Sequence, residues 1–296
     1  MNEIFDKLLI RFLFTLFICI ALVLYKYAHT IFYPSARKQI FKRIYPSENP
    51  ADTIHIFARL IGISLIFSTL EFNEYTGVFI SSFHFFIWGI IALIIYLSSL
   101  YLTESIIFSN FQYVDEILKK QSMPFAVISF ANAISLAFII RVVVQESEFS
   151  LIILAVLWLF ALVQYGFIIK LYHFISKLSF NKLLIQKNIG LGFSYAGFLF
   201  GTSIILTSAF SHEHHDITSY IVQVLLKVLL GALIVPVFRL GIIYIFKIEE
   251  KKKELKSYED PSLGFGVYEG SVFLTSGFLT SIIIGQIHFG TIYPIF

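Results

Sequence analysis

The sequence predicts an all-α polytopic membrane protein with about eight transmembrane helices. The 296-residue chain is 57% hydrophobic and only 14% charged, whereas soluble domains are about 45–50% apolar and about 25% charged. Its apolar residues fall into long runs, and a helix of roughly 20 residues spans a hydrocarbon core of about 30 Å. The predicted spans lie near residues 8–27, 54–71, 77–102, 124–143, 149–171, 189–210, 219–246 and 262–287.

An internal repeat of two helices organises these spans. The segment Leu191-Gly192-Phe193 recurs as Leu263-Gly264-Phe265, and prolines open two of the earlier spans. A proline suits the first turn of a helix, where its missing N–H costs nothing. The repeat starts, which are 74, 65 and 72 residues apart, are Pro50, Pro124, Ile189 and Pro261. This spacing predicts tandem four-helix units at residues 1–147 and 148–296. Chance similarity between apolar segments is the alternative.

Glycines at helical spacing predict close helix packing in the second unit. Gly197 and Gly201 form a small-xxx-small step, which lets two backbones approach where lipid gives no hydrophobic drive. We therefore expect Gly197→Leu to disrupt folding and Phe198→Leu to be tolerated. The glycines that we assign to helix packing are Gly192, Gly197, Gly201, Gly264 and Gly270.

Basic residues predict the orientation in the membrane. The loops after the first, third, fifth and seventh spans are long and hold 16 of the 22 lysines and arginines, while the three short loops hold none. Cytoplasmic loops carry the Lys/Arg excess, so the long loops face the cytoplasm and both termini are periplasmic. Lys7 and Arg11 weakly oppose this orientation. The expected location is a bacterial inner membrane.

One motif supports a family resemblance. The pattern Asn188-x-Gly-x-Gly-x-Ser-x-Ala-Gly-x-x-x-Gly201 follows a helix ending in Leu171-Tyr172 and a basic loop. It resembles the bacterial membrane family called domain of unknown function 350. The resemblance covers two tandem units, and the first unit has fewer small residues near the motif. It implies a multispan inner-membrane protein of undefined activity, and it supplies no catalytic residues.

Polar and ionisable residues inside the spans are the candidate functional site, because such groups are costly in a membrane. Arg59, Asn132, Arg239 and Glu269 are all expected at one depth, roughly 12–14 Å from the cytoplasmic end at about 1.5 Å per helical residue. Arg239 and Glu269 belong to consecutive spans and can pair. The partner of Arg59 stays open between Glu269, Glu104 and a bound anion. A structural ion pair competes with a site that passes an ion, a proton or a small polar substrate.

Other polar residues favour less specific interpretations. His84 is expected as a packing residue, and Lys227 can extend towards the outer interface. The loop that contains His212, His214, His215 and Asp216 offers metal-ligand types but lacks the spacing of an established motif. A solvated loop without metal is the favoured interpretation. The sequence has no nucleotide-binding loop, serine elbow or His-Glu-x-x-His helix.

The leading functional hypothesis is an ion channel or secondary transporter that is not an enzyme and needs no cofactor. The competing hypothesis is a membrane scaffold or assembly partner whose intramembrane charges are structural. A polar cavity lined by Arg59, Asn132 and Glu269 would favour transport, and a closed apolar core would favour the scaffold. The expected partners are the lipid bilayer and either a second copy of the chain or another membrane protein, with no nucleic acid.

Overall fold

The fold comes from a computed structural model that describes residues 2–32, 46–70, 77–108, 113–176, 178–212, 216–246, 261–287 and 289. Every regular element in these ranges is helical, and eight helices are long and apolar enough to cross a membrane. In chain order the helices are α1 (Asn2–Phe32), α2 (Pro50–Phe67), α3 (Val78–Ile107), α4 (Met123–Glu146), α5 (Leu151–Ile175), α6 (Phe180–Ile185), α7 (Ile189–Phe210), α8 (Ile217–Ile245) and α9 (Leu263–Gln286). A short π-helix, Val114–Lys119, lies between α3 and α4.

The repeat helices α2, α4, α7 and α9 form one continuous row at the centre of the protein. Each packs most extensively on its neighbour in this row, although consecutive members are separated in sequence by one of the helices α3, α5 and α8. Contacts along α7 and α9 advance in the same direction, because Gly190 meets Ser262 and Gly201 meets Phe273. The row is therefore parallel there, and α1, α3, α5 and α8 pack around it.

Side-chain caps explain where the central helices begin. The Asn49 side chain accepts the N–H of Asp52 at 3.0 Å, and the Asn188 side chain accepts the N–H of Leu191 at the same distance. Each cap satisfies a backbone donor that a helix N-terminus leaves without a partner. We call the end of the bundle where α2, α4, α7 and α9 begin the basic side, because the described residues there include Lys119, Lys120, Lys182 and Lys187.

Direct backbone contact joins α7 to α9. A Cβ atom on Gly197 would lie 2.1 Å from the carbonyl oxygen of Gly270, and a Cβ on Gly270 would lie 2.4 Å from the oxygen of Phe193. A Cβ on Gly201 would also meet the backbone of Phe273, at 2.6 Å. Because backbone atoms cannot rotate away as side chains do, this interface requires glycine.

Two other glycines take different roles. Gly192 faces α4, where its Cβ would lie 3.1 Å from Pro124 Cα. Gly264 has only the Ser262 hydroxyl near its Cβ position, at 4.0 Å, so it takes no part in close helix contact. Gly264 is exposed in the first turn of α9. It therefore does not pack against another helix as Gly192 does, although the two residues align in sequence.

The packing of Phe198 makes it a poor choice for a neutral substitution. Its side chain is buried, and its ring centroid lies 5.1 Å from that of Tyr172 and 5.3 Å from that of Phe273. Truncation to leucine would remove these aromatic contacts, so the expectation that Phe198→Leu is tolerated is withdrawn. Phe193, which is 38% exposed on the same helix, is the better comparison.

Candidate functional site

A buried ion pair lies between α2 and α3 in the first unit. Arg59 Nη2 donates to Glu104 Oε1 at 2.6 Å, and the two side chains are only 1% and 3% exposed. Arg59 Nη1 also donates to the His55 carbonyl oxygen at 2.7 Å and to Ser129 Oγ at 3.3 Å. Of the three partners considered for Arg59, the structure selects Glu104.

Ser129 of α4 connects this ion pair to a histidine. Its Oγ donates to Glu104 Oε1 at 2.7 Å and lies 3.0 Å from His55 Nδ1. A serine hydroxyl has one hydrogen and two lone pairs. Since that hydrogen goes to Glu104, the Ser129 oxygen accepts from both Arg59 and His55. His55 therefore carries a proton on Nδ1, and the three residues form a directed hydrogen-bonded chain from imidazole to carboxylate.

The hydrogen-bonded chain from His55 to Glu104 has aromatic and acidic neighbours on the basic side. The ring of Tyr113, just before the π-helix, lies 4.7 Å from that of His55, and its hydroxyl donates to Asp52 Oδ1. Burial and the Asp52 carboxylate raise the pKa of Tyr113. A hydrogen bond from Tyr113 to Asp52 and the ring contact of Tyr113 with His55 thus lead from the first turn of α2 to the buried ion pair.

Asn132 belongs to a separate polar contact one turn further along α4. Its Nδ2 donates to Thr103 Oγ1 at 2.9 Å, and its Oδ1 accepts from the Tyr165 hydroxyl at 3.2 Å. Asn132 is fully buried and bonds to neither Arg59 nor Glu269. The structure therefore places it between α3 and α5, where it holds those helices to α4.

The second unit has its own buried ion pair. Arg239 Nη2 of α8 donates to Glu269 Oε1 of α9 at 3.1 Å, so the structure brings together the two residues that were expected to pair. Ser176 Oγ donates to the same oxygen at 3.1 Å, and Ser194 Oγ donates to Glu269 Oε2 at 2.6 Å. The Tyr172 hydroxyl lies 2.9 Å from Ser194 Oγ.

The two units place these clusters on equivalent helices but reverse the charges. His55 and Ser129 are 74 residues apart and join the two central helices of the first unit, while Ser194 and Glu269 are 75 apart and join those of the second. The third membrane-spanning helix of each unit supplies the opposing charge, which is an acid from Glu104 of α3 and a base from Arg239 of α8. Among the described residues of the two clusters, the first cluster contains an imidazole, that of His55.

Sequence reasoning missed His55, Ser129 and Ser194. Alignment of the two capping residues, Asn49 and Asn188, would have placed His55 opposite Ser194. Alignment of the first residues of α4 and α9, Met123 and Leu263, would similarly have placed Ser129 opposite Glu269. An alignment of the two units, in addition to the search for charged residues, would therefore have identified the hydrogen-bonded chain from His55 to Glu104.

The residues that the structure describes near the opposite end of the bundle make no comparable cluster. The His84 ring lies 4.7 Å from that of Phe149, and the Lys227 side chain is buried at 1% exposure instead of reaching the interface. His212 stacks on Tyr220, and Asp216 caps α8 by accepting the N–H of Ser219. His214 and His215 lie outside the described residues. Within the described ranges, no group of three or more His, Cys, Asp and Glu residues could hold a metal.

Two cavities lie beside these clusters. One is an apolar cleft between α5 and α8, with about 480 Å³ of space when the open region at its mouth is included. The other, measured in the same way at about 580 Å³, lies on the basic side and is lined by residues that include Lys170, His173 and Asn181. Neither of these two cavities is lined by Arg59, Asn132 or Glu269.

Comparison with known proteins agrees with the tandem organisation. The sequence model of the family described as Domain of Unknown Function (DUF350) matches residues 3–144 and again residues 148–284. No curated protein and no solved structure gave a match. The two matched segments together cover most of the chain and coincide with the two four-helix groups. This protein, an all-α polytopic membrane protein, therefore belongs to the DUF350 family and carries two copies of its domain.

Proposed function

We propose that this protein is a proton-coupled secondary transporter of the inner membrane, and that the first unit holds its proton site. The observation that carries the proposal is the buried chain from His55 through Ser129 to Glu104. Ionisable groups inside membranes are expensive and commonly mark proton relays. Tandem repeats that meet around buried charges are also the layout of many transporters.

The hydrogen-bonded chain can carry one proton from His55 to Glu104 while every atom keeps its normal number of bonds. When a proton binds His55 Nε2, Ser129 Oγ accepts the proton of His55 Nδ1 and passes its own hydrogen to Glu104 Oε1. The imidazole then ends neutral with its proton on Nε2, and the carboxylate becomes neutral. Arg59 then loses its buried counter-charge, and an unpaired buried charge is strongly unfavourable. Protonation of Glu104 therefore favours a different arrangement of α2 and α3. Coupled transport requires such a free-energy difference between two conformational states.

Substitution of Ser129 tests the relay. In liposomes that contain the purified protein, Ser129→Ala is expected to slow proton flux by about tenfold, the scale of one lost hydrogen bond to a charged group. The Arg59–Glu104 contact remains in this variant. Ser105→Ala is the matched control, because the Ser105 hydroxyl donates to the nearby Leu102 carbonyl on an exposed part of α3 and not within the buried ion pair. Equal flux in both variants would exclude the relay.

A membrane scaffold is the second candidate, and the backbone contact between α7 and α9 favours it. Such an interface has no room for side chains to rearrange. The Arg59–Glu104 pair is also buried, with side chains that are 1% and 3% exposed. Liposomes with wild-type protein that pass protons no faster than empty liposomes would support the scaffold and overturn the transporter.

Reporter fusions test the proposed orientation. We expect fusions near residues 45, 115, 180 and 254 to report the cytoplasm, because lysines and arginines concentrate in these loops. Fusions near residues 74, 147 and 214 and at the C-terminus should report the periplasm. A cytoplasmic C-terminus would contradict eight crossings with both ends outside.

A further inference from the structure

The apolar cleft of the second unit opens towards the surrounding membrane. Its floor is formed by α7 and by Phe273 of α9, and its walls are formed by α5 and α8. The wall residues other than Val228 are partly exposed, so the opening lies between these two helices. Wall residues that line the cleft include Ile168, Leu171, Ile175, Ala232 and Val235.

Arg239 stands at the end of this cleft nearest the basic side. Its Nη1 donates to the Ile175 carbonyl oxygen at 2.6 Å, and its Cζ lies 4.9 Å from the centre of the Phe273 ring. Both Ile175 and Phe273 line the cleft. The contact with the last residue of α5 places the guanidinium level with the end of that helix on the basic side.

The guanidinium keeps capacity for a further acceptor. The Arg239 side chain is 21% exposed. Its buried Nε has no hydrogen-bond acceptor among the residues that the structure describes. Glu269 takes only one bond from Arg239, and its two oxygens also accept from Ser176 and Ser194. The carboxylate is therefore satisfied within the bundle, while the partly exposed guanidinium has N–H groups beyond the two that bond to Ile175 and Glu269.

We propose that this cleft binds one anionic phospholipid, with an acyl chain between α5 and α8 and the phosphate against Arg239. An apolar groove that ends in a cation complements an apolar chain that ends in an anion. Basic residues attract anionic lipid headgroups, so the Arg239 guanidinium favours phosphatidylglycerol-like lipids over zwitterionic ones.

Intact-complex mass spectrometry of the full-length protein tests this site. Protein is equilibrated with phosphatidylglycerol and phosphatidylcholine of identical acyl chains, and the lipids retained by each variant are counted. Wild-type protein should retain phosphatidylglycerol preferentially. Arg239→Gln combined with Glu269→Gln removes the cation without leaving an unpaired carboxylate, and it should reduce the preference by about fivefold, which corresponds to about 1 kcal/mol per basic residue.

A matched pair of substitutions separates the cleft from the rest of α8. Ala232→Trp fills the cleft and should abolish retention of phosphatidylglycerol, whereas Leu233→Trp places the same ring on a residue that is 72% exposed and should leave retention unchanged. Equal retention of the two lipids by wild-type protein would overturn the proposal, as would equal effects of the two tryptophans. Displacement of the lipid by inorganic phosphate alone would identify an anion site instead. None of these outcomes depends on transport activity.

Discussion

Replacement of Gly197 by alanine is expected to abolish stable folding of the second unit. The new Cβ would lie 2.1 Å from the Gly270 oxygen and 2.4 Å from the Gly270 Cα. Overpacking of a core typically costs about 1–3 kcal/mol and can cost more. We expect the upper end or beyond, because the obstacle is backbone and α7–α9 is the most extensive helix contact in the protein. Thermal unfolding and monodisperse yield in detergent measure the loss.

Gly241→Ala is the matched control for this prediction. Gly241 lies inside α8, and a Cβ there would have no heavy atom within 4 Å. The same substitution should therefore be neutral or stabilising by up to about 1 kcal/mol, since glycine is unfavourable in a helix interior. Phe193→Leu provides a second comparison on α7 itself. Equal stability of Gly197→Ala and Gly241→Ala would contradict the backbone contact.

The eight helices could be predicted from sequence because apolar length alone limits where a chain can cross a membrane. Their ends were harder to place. The predicted third span ends near residue 102, whereas α3 continues to Ile107 and includes Thr103 and Glu104. Polar residues usually mark the end of a span, but here both side chains find partners inside the bundle. Their bonds allow the helix to continue past its apolar run.

The ion pair of the second unit was accessible to sequence reasoning, because Arg239 and Glu269 lie on consecutive spans at matched depth. The site of the first unit was not. His55 and Ser129 belong to α2 and α4, which neighbour each other across the intervening α3. Depth also could not separate Ser129 from Asn132, which lies three residues later. Only the packing of the central row reveals that the first faces α2 and the second faces α5.

The largest effect of a charge substitution is expected at the pair in the first unit. Glu104→Gln leaves Arg59 charged and 1% exposed, and loss of one partner of a buried pair typically costs about 3–5 kcal/mol. Glu269→Gln should cost less, because Arg239 is 21% exposed and keeps the Ile175 carbonyl as an acceptor. Chemical or thermal unfolding of both variants in the same detergent measures the difference.

Double variants then separate structure from function. Arg59→Gln with Glu104→Gln removes both charges and should recover much of the lost stability, and the same holds for Arg239→Gln with Glu269→Gln. Additive losses in either cycle would show that the two side chains do not interact. If the pair of the first unit only locks α2 to α3, its double variant should keep the proton flux of the wild-type protein. If Glu104 receives the proton from Ser129, the double variant should be stable and unable to carry protons, whereas the double variant of the second unit should still carry them.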